Sequence, residues 1–96
     1  MMILLALAAL ATMSDTQIAA ARKAAPADVR AVVDRWEMCN HWGGEEAYDK
    51  ARARQIERAS ARLRCDRLDR DEALLRHRYV HRPAILRLLT AAHDIY

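Results

Sequence analysis

The stretch PADVRAVVDRWEMC, residues 26–39, decides the fold of this 96-residue chain. Its apolar residues recur at intervals of three and four, which places them on one face of an α-helix. These residues are Val29, Val32, Val33, Trp36 and Cys39. Pro26 suits the first position of such a helix, where the N–H that proline lacks has no partner in any case. The stretch therefore predicts a helix that buries one apolar face, with Trp36 in the core.

The segments on either side of this helix carry signals for its ends. Downstream, Asn40 and His41 precede Trp42-Gly43-Gly44, and glycine readily adopts the positive φ angles common at helix C-termini. Upstream, the sequence from Ser14 to Gln17 matches a capping box. It predicts a short helix over residues 15–25 that Pro26 interrupts.

A third helix is predicted over residues 45–64. Its first residues include three acidic side chains, Glu45, Glu46 and Asp49. These would lie near the positive end of the helix dipole, which favours negative charge. Its predicted packing face carries Tyr48, Ile56, Ala59 and Leu63.

Two further helices follow in the C-terminal half of the chain. The segment from Asp69 to Glu72 resembles a helix cap, with Leu68 placed as a hydrophobic staple. The fourth helix would then carry Leu74, Leu75 and Tyr79. Pro83 is expected to begin the last helix, and the apolar residues at helical spacing in it are Ile85, Leu88, Leu89 and Ala92.

No segment has the alternation of apolar and polar residues that a strand requires, and phenylalanine is absent. The fold class predicted is all-α: a small bundle of four to five short helices in a single domain, residues 12–96. A core of this size is thin, so a covalent cross-link would contribute a large share of the stability.

The N-terminal residues 1–11, MMILLALAALA, form an unbroken apolar run that ends in Ala9-Leu10-Ala11. A run of this length with a small-x-small ending predicts a signal peptide with a cleavage site. It is too short for a membrane span, which needs roughly 20 residues. We therefore expect a periplasmic or secreted protein with no stable membrane span after cleavage; the alternative is a buried N-terminal helix in a cytosolic protein.

Two cysteines remain after cleavage, Cys39 and Cys65. An even number in a small exported domain is typical of a disulfide, and two cysteines allow one pairing. The predicted bridge would link the second and third helices. Two reduced, buried thiols are the alternative.

Basic residues are concentrated in the second half of the chain. Residues 1–49 carry four basic and seven acidic side chains, and residues 50–96 carry twelve and six. Such Arg-rich helix faces could attract nucleic acid or anionic lipid. Acidic residues interleaved with them argue against both partners, and the expected export also argues against a nucleic acid.

The segment from Cys39 to Asp49 is the densest cluster of chemically active side chains, and it permits three interpretations. As a metal site it lacks a second histidine, and a cysteine in a disulfide cannot be a ligand. As an acid–base site it would use His41 with Glu45, Glu46 or Asp49. As a recognition turn or structural corner, its candidate residues are His41, Trp42, Glu45, Glu46, Tyr48 and Asp49.

The sequence Cys65-Asp-Arg-Leu68-Asp69, followed by Leu75-Arg-His-Arg-Tyr79, resembles the small helical lysozyme-inhibitor-like domains of bacterial envelopes. Those domains show a cysteine, then Leu-Asp, then Leu-x-x-x-Tyr. The resemblance implies helices, a disulfide and an envelope location, and it suggests inhibition of lysozyme by analogy.

Together these features predict an exported, non-enzymatic interaction or structural domain of the bacterial envelope, with another envelope protein as its partner. No cofactor, metal or catalytic residue is expected. The alternative is a small acid–base hydrolase that uses His41, Glu45, Glu46 and Asp49. The sequence leaves the oligomeric state open.

Overall fold

The computed structural model describes residues 12–96, so the predicted signal peptide, residues 1–11, lies outside the described residues. Within residues 12–96 the chain forms five α-helices and one 3-10 turn, with no strand. The elements are α1 (Asp15–Ala24), α2 (Ala27–Gly43), α3 (Lys50–Leu63), the 3-10 turn (Cys65–Arg67), α4 (Leu68–Arg78) and α5 (Pro83–Ile95). The all-α prediction is confirmed. Among these helices, none is long and apolar enough to cross a bilayer.

Several predicted helix ends are confirmed. The capping box at Ser14 forms in full: the Ser14 hydroxyl accepts from the Gln17 N–H, and the Gln17 side chain accepts from the Ser14 N–H. Pro83 occupies the first turn of α5. Pro26 precedes α2 rather than beginning it, since the first helical residue is Ala27.

The predicted glycine turn is wrong. α2 continues through Gly43, and Gly44 ends it with a φ of −91°, so neither glycine takes a positive φ. The left-handed conformation occurs instead at Arg64, which ends α3 with φ 53° and ψ 49°. An arginine in this region carries a steric cost that glycine would avoid.

Two predicted helix starts are also corrected. α3 begins at Lys50 rather than Glu45, because the Asp49 side chain accepts the Arg52 N–H and makes Asp49 the N-cap. α4 begins at Leu68, directly after the 3-10 turn and without a side-chain cap, so Asp69 lies inside the first turn.

The hydrophobic core is built by α1, α2, α4 and α5, which we call the four-helix core. α2 lies at its centre and contacts α1, α4 and α5, while α1 and α4 also pack on α5. The buried residues that form this core are Ile18, Val29, Val32, Val33, Leu68, Leu75, Ile85, Leu88, Leu89 and Ala92. Trp36 and Cys39 pack against it from partly buried positions.

α3 and the connection before it, residues 45–64, form an arm outside that core. α3 contacts α2 and the 3-10 turn, and its one buried residue is Ala59. Ile56 and Leu63 are half-buried as predicted, but Tyr48 precedes the helix and is 76% exposed. No residue of the arm belongs to the hydrophobic core formed within residues 12–96.

The predicted disulfide is confirmed: Cys39 and Cys65 are bonded, with their Cα atoms 5.7 Å apart. It joins α2 to the 3-10 turn, at the point where the arm returns to the four-helix core. Arg35 adds a polar clamp at the same place. Its guanidinium donates to the carbonyls of Leu63 and Arg64, at 2.8 and 2.9 Å, and pairs with Asp71 at 2.7 Å.

Candidate functional site

The candidate recognition residues lie in one corner of the molecule, residues 41–52, where α2 passes into the arm. His41 and Trp42 belong to the last turn of α2, and Glu45 begins the connection to α3. Glu46 is exposed in that connection. Cys39 lies one turn earlier in α2 and is bonded to Cys65. The structure thus brings most of the predicted cluster together, at the C-terminal end of α2 and in the connection that follows it.

Arg52 organises this corner. Its Nη2 lies 3.0 Å from Glu45 Oε2, and its guanidinium carbon lies 5.3 Å from the ring centroid of Trp42 and 5.9 Å from that of Tyr48. Both ring distances fall in the cation–π range. The Arg52 side chain is only 19% exposed, although it belongs to a helix whose other basic residues face solvent.

The sequence analysis did not single out Arg52 among the basic residues of the second half of the chain and missed this role. A signal was present, because Arg52 follows Asp49 by three residues, which is the spacing of an N-cap and its bonded N–H. Once Asp49 caps the helix, Arg52 is in the first turn and can reach back to the connection.

Two of the three acidic side chains of the corner, Glu45 and Asp49, are used in structural contacts. Glu45 accepts from Arg52 and also pairs with His41, whose Nε2 lies 3.3 Å from Glu45 Oε1. Asp49 accepts the Arg52 N–H at 2.7 Å. The His41 and Trp42 rings meet edge to face, with centroids 5.4 Å apart. His41, Glu45 and Asp49, which the acid–base hypothesis would use, thus make contacts that support the aromatic and cationic surface around Arg52.

A second polar cluster, which sequence reasoning missed, lies inside the four-helix core. Glu72 is 7% exposed, and its carboxylate accepts from the Trp36 indole N–H and from Arg76 Nε, both at 3.0 Å. The His93 Nδ1 lies 3.3 Å from the same carboxylate, and its ring lies 4.7 Å from that of Trp36. Arg76 also donates to the Thr90 hydroxyl. This network joins α2, α4 and α5, and it satisfies the polar atoms that their packing buries.

The residues that carry the resemblance to lysozyme-inhibitor-like domains serve the fold. Leu68 and Leu75 are buried in the four-helix core. The Tyr79 hydroxyl donates to Asp28 at 2.9 Å, and Arg78 pairs with the same carboxylate at 2.5 Å. Burial raises the pKa of Asp28, but these hydrogen bonds outweigh it and leave the pKa below its ordinary value. The bond to Asp28 raises the pKa of Tyr79.

α1 is attached to α2 by a separate charged cluster. Arg22 pairs with Asp34 at 2.6 Å and with Glu37 at 3.1 Å, and it donates to the Tyr96 hydroxyl at 3.1 Å. The hydrogen bond from Arg22 lowers the pKa of Glu37, and in return Glu37 and Asp34 raise the pKa of Arg22.

Two open grooves flank these elements. One, of about 380 Å³, lies between α1, α2 and the end of α5 and contains Ile18, Arg22 and Tyr96 in its wall. The other, of about 500 Å³, lies beside the disulfide and is lined by Trp36, Gly44, Leu68 and Tyr96, among others. Neither groove is lined by the histidine or the acidic residues of the corner.

No cluster of three or more histidine, cysteine or acidic residues suited to a metal ion is found within residues 12–96. A scan against protein-family models, a search of curated proteins and a search of solved structures found no match to this chain. The fold and the corner thus define a small, disulfide-linked helical domain with an aromatic and cationic surface outside its core.

Proposed function

We propose that the protein is an exported, non-enzymatic interaction domain of the bacterial envelope that binds another protein through the corner, residues 41–52. The observation that carries this proposal is the contact of the Arg52 guanidinium with the rings of both Trp42 and the exposed Tyr48. Tryptophan, tyrosine and arginine supply most of the binding energy at protein interfaces. A side chain already ordered before binding loses less entropy when the partner arrives.

Export is supported by the apolar run 1–11 and by the disulfide, since such bonds persist in oxidising compartments. Cell fractionation followed by intact mass measurement tests it. We expect an envelope or secreted species cleaved near Ala11 and oxidised at both cysteines. A full-length chain in the cytosol would contradict export.

Tyr48→Ala tests the binding surface with the least risk to the fold, because the Tyr48 side chain is 76% exposed. Leu74→Ala is the matched control, since Leu74 is 61% exposed on α4, outside the corner. We expect Tyr48→Ala to weaken binding of the partner by about tenfold or more. Leu74→Ala should leave that binding unchanged.

The measurement is a quantitative pull-down from an envelope extract, followed by titration of the purified partner. Trp42→Ala extends the test, with circular dichroism and thiol labelling to confirm that the variant is folded and oxidised. Equal recovery of the same partners by wild type, Tyr48→Ala and Trp42→Ala would mean that the corner is only structural.

The resemblance makes lysozyme the first partner to test. Inhibition of a lysozyme by the wild type, with loss of inhibition in Tyr48→Ala, would identify the partner. Failure to inhibit would exclude lysozyme as the partner. The pull-down from the envelope extract would then decide the proposal.

A further inference from the structure

The outer surface of the arm carries a row of four basic residues on α3. Lys50, Arg54, Arg58 and Arg62 are each four residues apart, and all four are exposed. Residues at this spacing are neighbours on a helix, and the row extends for about 18 Å at 1.5 Å per residue. The opposite face of α3, which includes Ile56, Ala59 and Leu63, packs towards α2.

These four side chains are not neutralised by neighbours. Among residues 12–96, ion pairs are made by Arg22, Arg35, Arg52, Arg76 and Arg78, but by none of the four. Two of the acidic residues that follow α3 are engaged elsewhere, since Asp71 pairs with Arg35 and Glu72 is buried. Asp66 and Asp69 are exposed and make no ion pair with the row. Glu57 is the one acidic residue of α3.

The chemistry of the row favours a lipid surface over a protein or a nucleic acid. Alanines 51 and 61 lie between the cations, so the face has no large apolar anchor of the kind that protein interfaces bury. It also has no aromatic side chain on which a base could stack. The outer side of α3 presents these four cations and one exposed carboxylate, that of Glu57. A helix with this excess of positive charge suits a flat layer of phosphate headgroups, to which each near-surface cation adds an independent contribution.

We propose that this row attaches the protein to anionic phospholipid headgroups at a membrane surface, without insertion. The attachment differs from the protein contact proposed for the corner, because it uses the outer face of α3 and charge alone. Lys50 is the one residue of the row that also lies within the corner. Binding by charge predicts a steep decrease with salt.

The test compares Arg54→Gln/Arg58→Gln with Arg30→Gln/Arg87→Gln. Both double variants remove two exposed arginines that make no ion pair within residues 12–96, so their net charge is the same. Glutamine and arginine have similar helix propensity, so α3 should remain folded. Arg30 and Arg87 lie on α2 and α5, outside the row.

The measurement is cosedimentation of each full-length protein with vesicles of phosphatidylglycerol and phosphatidylcholine, and with phosphatidylcholine vesicles alone. Binding to the neutral vesicles measures any contribution of the apolar residues 1–11. The ratio of the affinity for anionic vesicles to the affinity for neutral vesicles therefore isolates the contribution of charge. Each near-surface cation contributes roughly fivefold, so we expect Arg54→Gln/Arg58→Gln to lower that ratio about 25-fold. Arg30→Gln/Arg87→Gln should lower it less than about threefold, because those residues lie on α2 and α5, outside the row, and screening weakens the effect of charges away from the bound surface.

Loss of the anionic preference in the row variant alone, together with release by added salt, would support the proposal. Equal binding to the two kinds of vesicle, or an equal loss in both double variants, would overturn it. Tighter binding to duplex DNA than to anionic vesicles at the same phosphate concentration would also overturn it, by assigning the row to a nucleic acid.

Discussion

The four-helix core and the arm are stabilised in different ways. Ten buried apolar residues from α1, α2, α4 and α5 form the core, and the interior of α5 alone contributes four of them. α3 has 14 residues, and Ile56 and Leu63 are its only large apolar side chains. Apolar burial therefore contributes less to the attachment of α3 than to the core, and the disulfide and the Arg35 clamp add contacts where the arm ends.

This difference explains why the candidate surfaces lie on the arm. A helix that gives few side chains to the core can present most of its surface to solvent, and α3 carries both the corner arginine and the basic row. The core residues are constrained by packing, so their substitution should change stability more than binding.

The largest expected effect separates the two regions directly. Leu88 is 1% exposed in the core, so Leu88→Ala should lower the free energy of unfolding by about 2–5 kcal/mol. The matched arm variant is Leu63→Ala, at a half-buried position, with an expected loss of about 1 kcal/mol. Urea denaturation measures both. Equal losses would mean that the arm is part of the same packed core.

The disulfide should have the next largest effect. It closes a loop with a sequence separation of 26 residues, for which chain entropy gives about 3 kcal/mol. We expect the Cys39→Ala/Cys65→Ala variant to lose about that much stability, as measured by urea denaturation. A loss well below 1 kcal/mol would show that the other contacts of the arm are sufficient on their own.

The Arg35 clamp should contribute somewhat less. Arg35→Lys keeps the charge near Asp71 but cannot serve both the Leu63 and the Arg64 carbonyls, so about 1–3 kcal/mol should be lost. Arg30→Lys is the control, since Arg30 is exposed and makes no ion pair within residues 12–96. If the two variants unfold at the same denaturant concentration, the clamp does not stabilise the arm.

The smallest effect concerns pH and the contact of α1 with the core. The hydrogen bond from Arg22 lowers the pKa of Glu37 below its ordinary value of 4.5, so the ionised form stabilises the folded state. That contribution is present above pH 4.5 and is lost as the pH falls through the lowered pKa. Wild type should therefore exceed Glu37→Gln in stability at neutral pH, and the difference should shrink below about pH 4.5. If the stability difference between wild type and Glu37→Gln grew as the pH fell, the lowered pKa of Glu37 would be contradicted.

Sequence patterns predicted the core well because its helices have strong periodicity and clear caps. The apolar stripes of α2 and α5, the Ser14 capping box and the single possible cysteine pairing are all local or combinatorial signals. Of the three apolar residues predicted for the fourth helix, Leu75 is buried and Tyr79 packs against the core, but Leu74 does not. Leu74 is 61% exposed, while Glu72 lies on the buried face with Leu68 and Leu75. The position of Glu72 within an apolar stripe was the available sign of a buried polar network. Its partner Trp36, however, lies 36 residues away in the sequence.

The corner was harder to predict because competing local signals determine it. Acidic residues at positions 45, 46 and 49 all suit a helix start, and the side-chain bond from Asp49 selects the last of them. Glycines 43 and 44 suggested a left-handed turn, yet Arg64 adopts that conformation where its carbonyl accepts from Arg35. A contact between residues so far apart in the chain leaves no local pattern in the sequence.

Amide hydrogen exchange of the oxidised and the reduced protein tests most directly whether α3 is attached from outside the core. We predict that amides within Lys50–Leu63 exchange faster than those in the interiors of α2 and α5, and that reduction accelerates exchange in α3 far more than in the core. Uniform protection across all five helices, lost everywhere together on reduction, would contradict the division into a core and an arm.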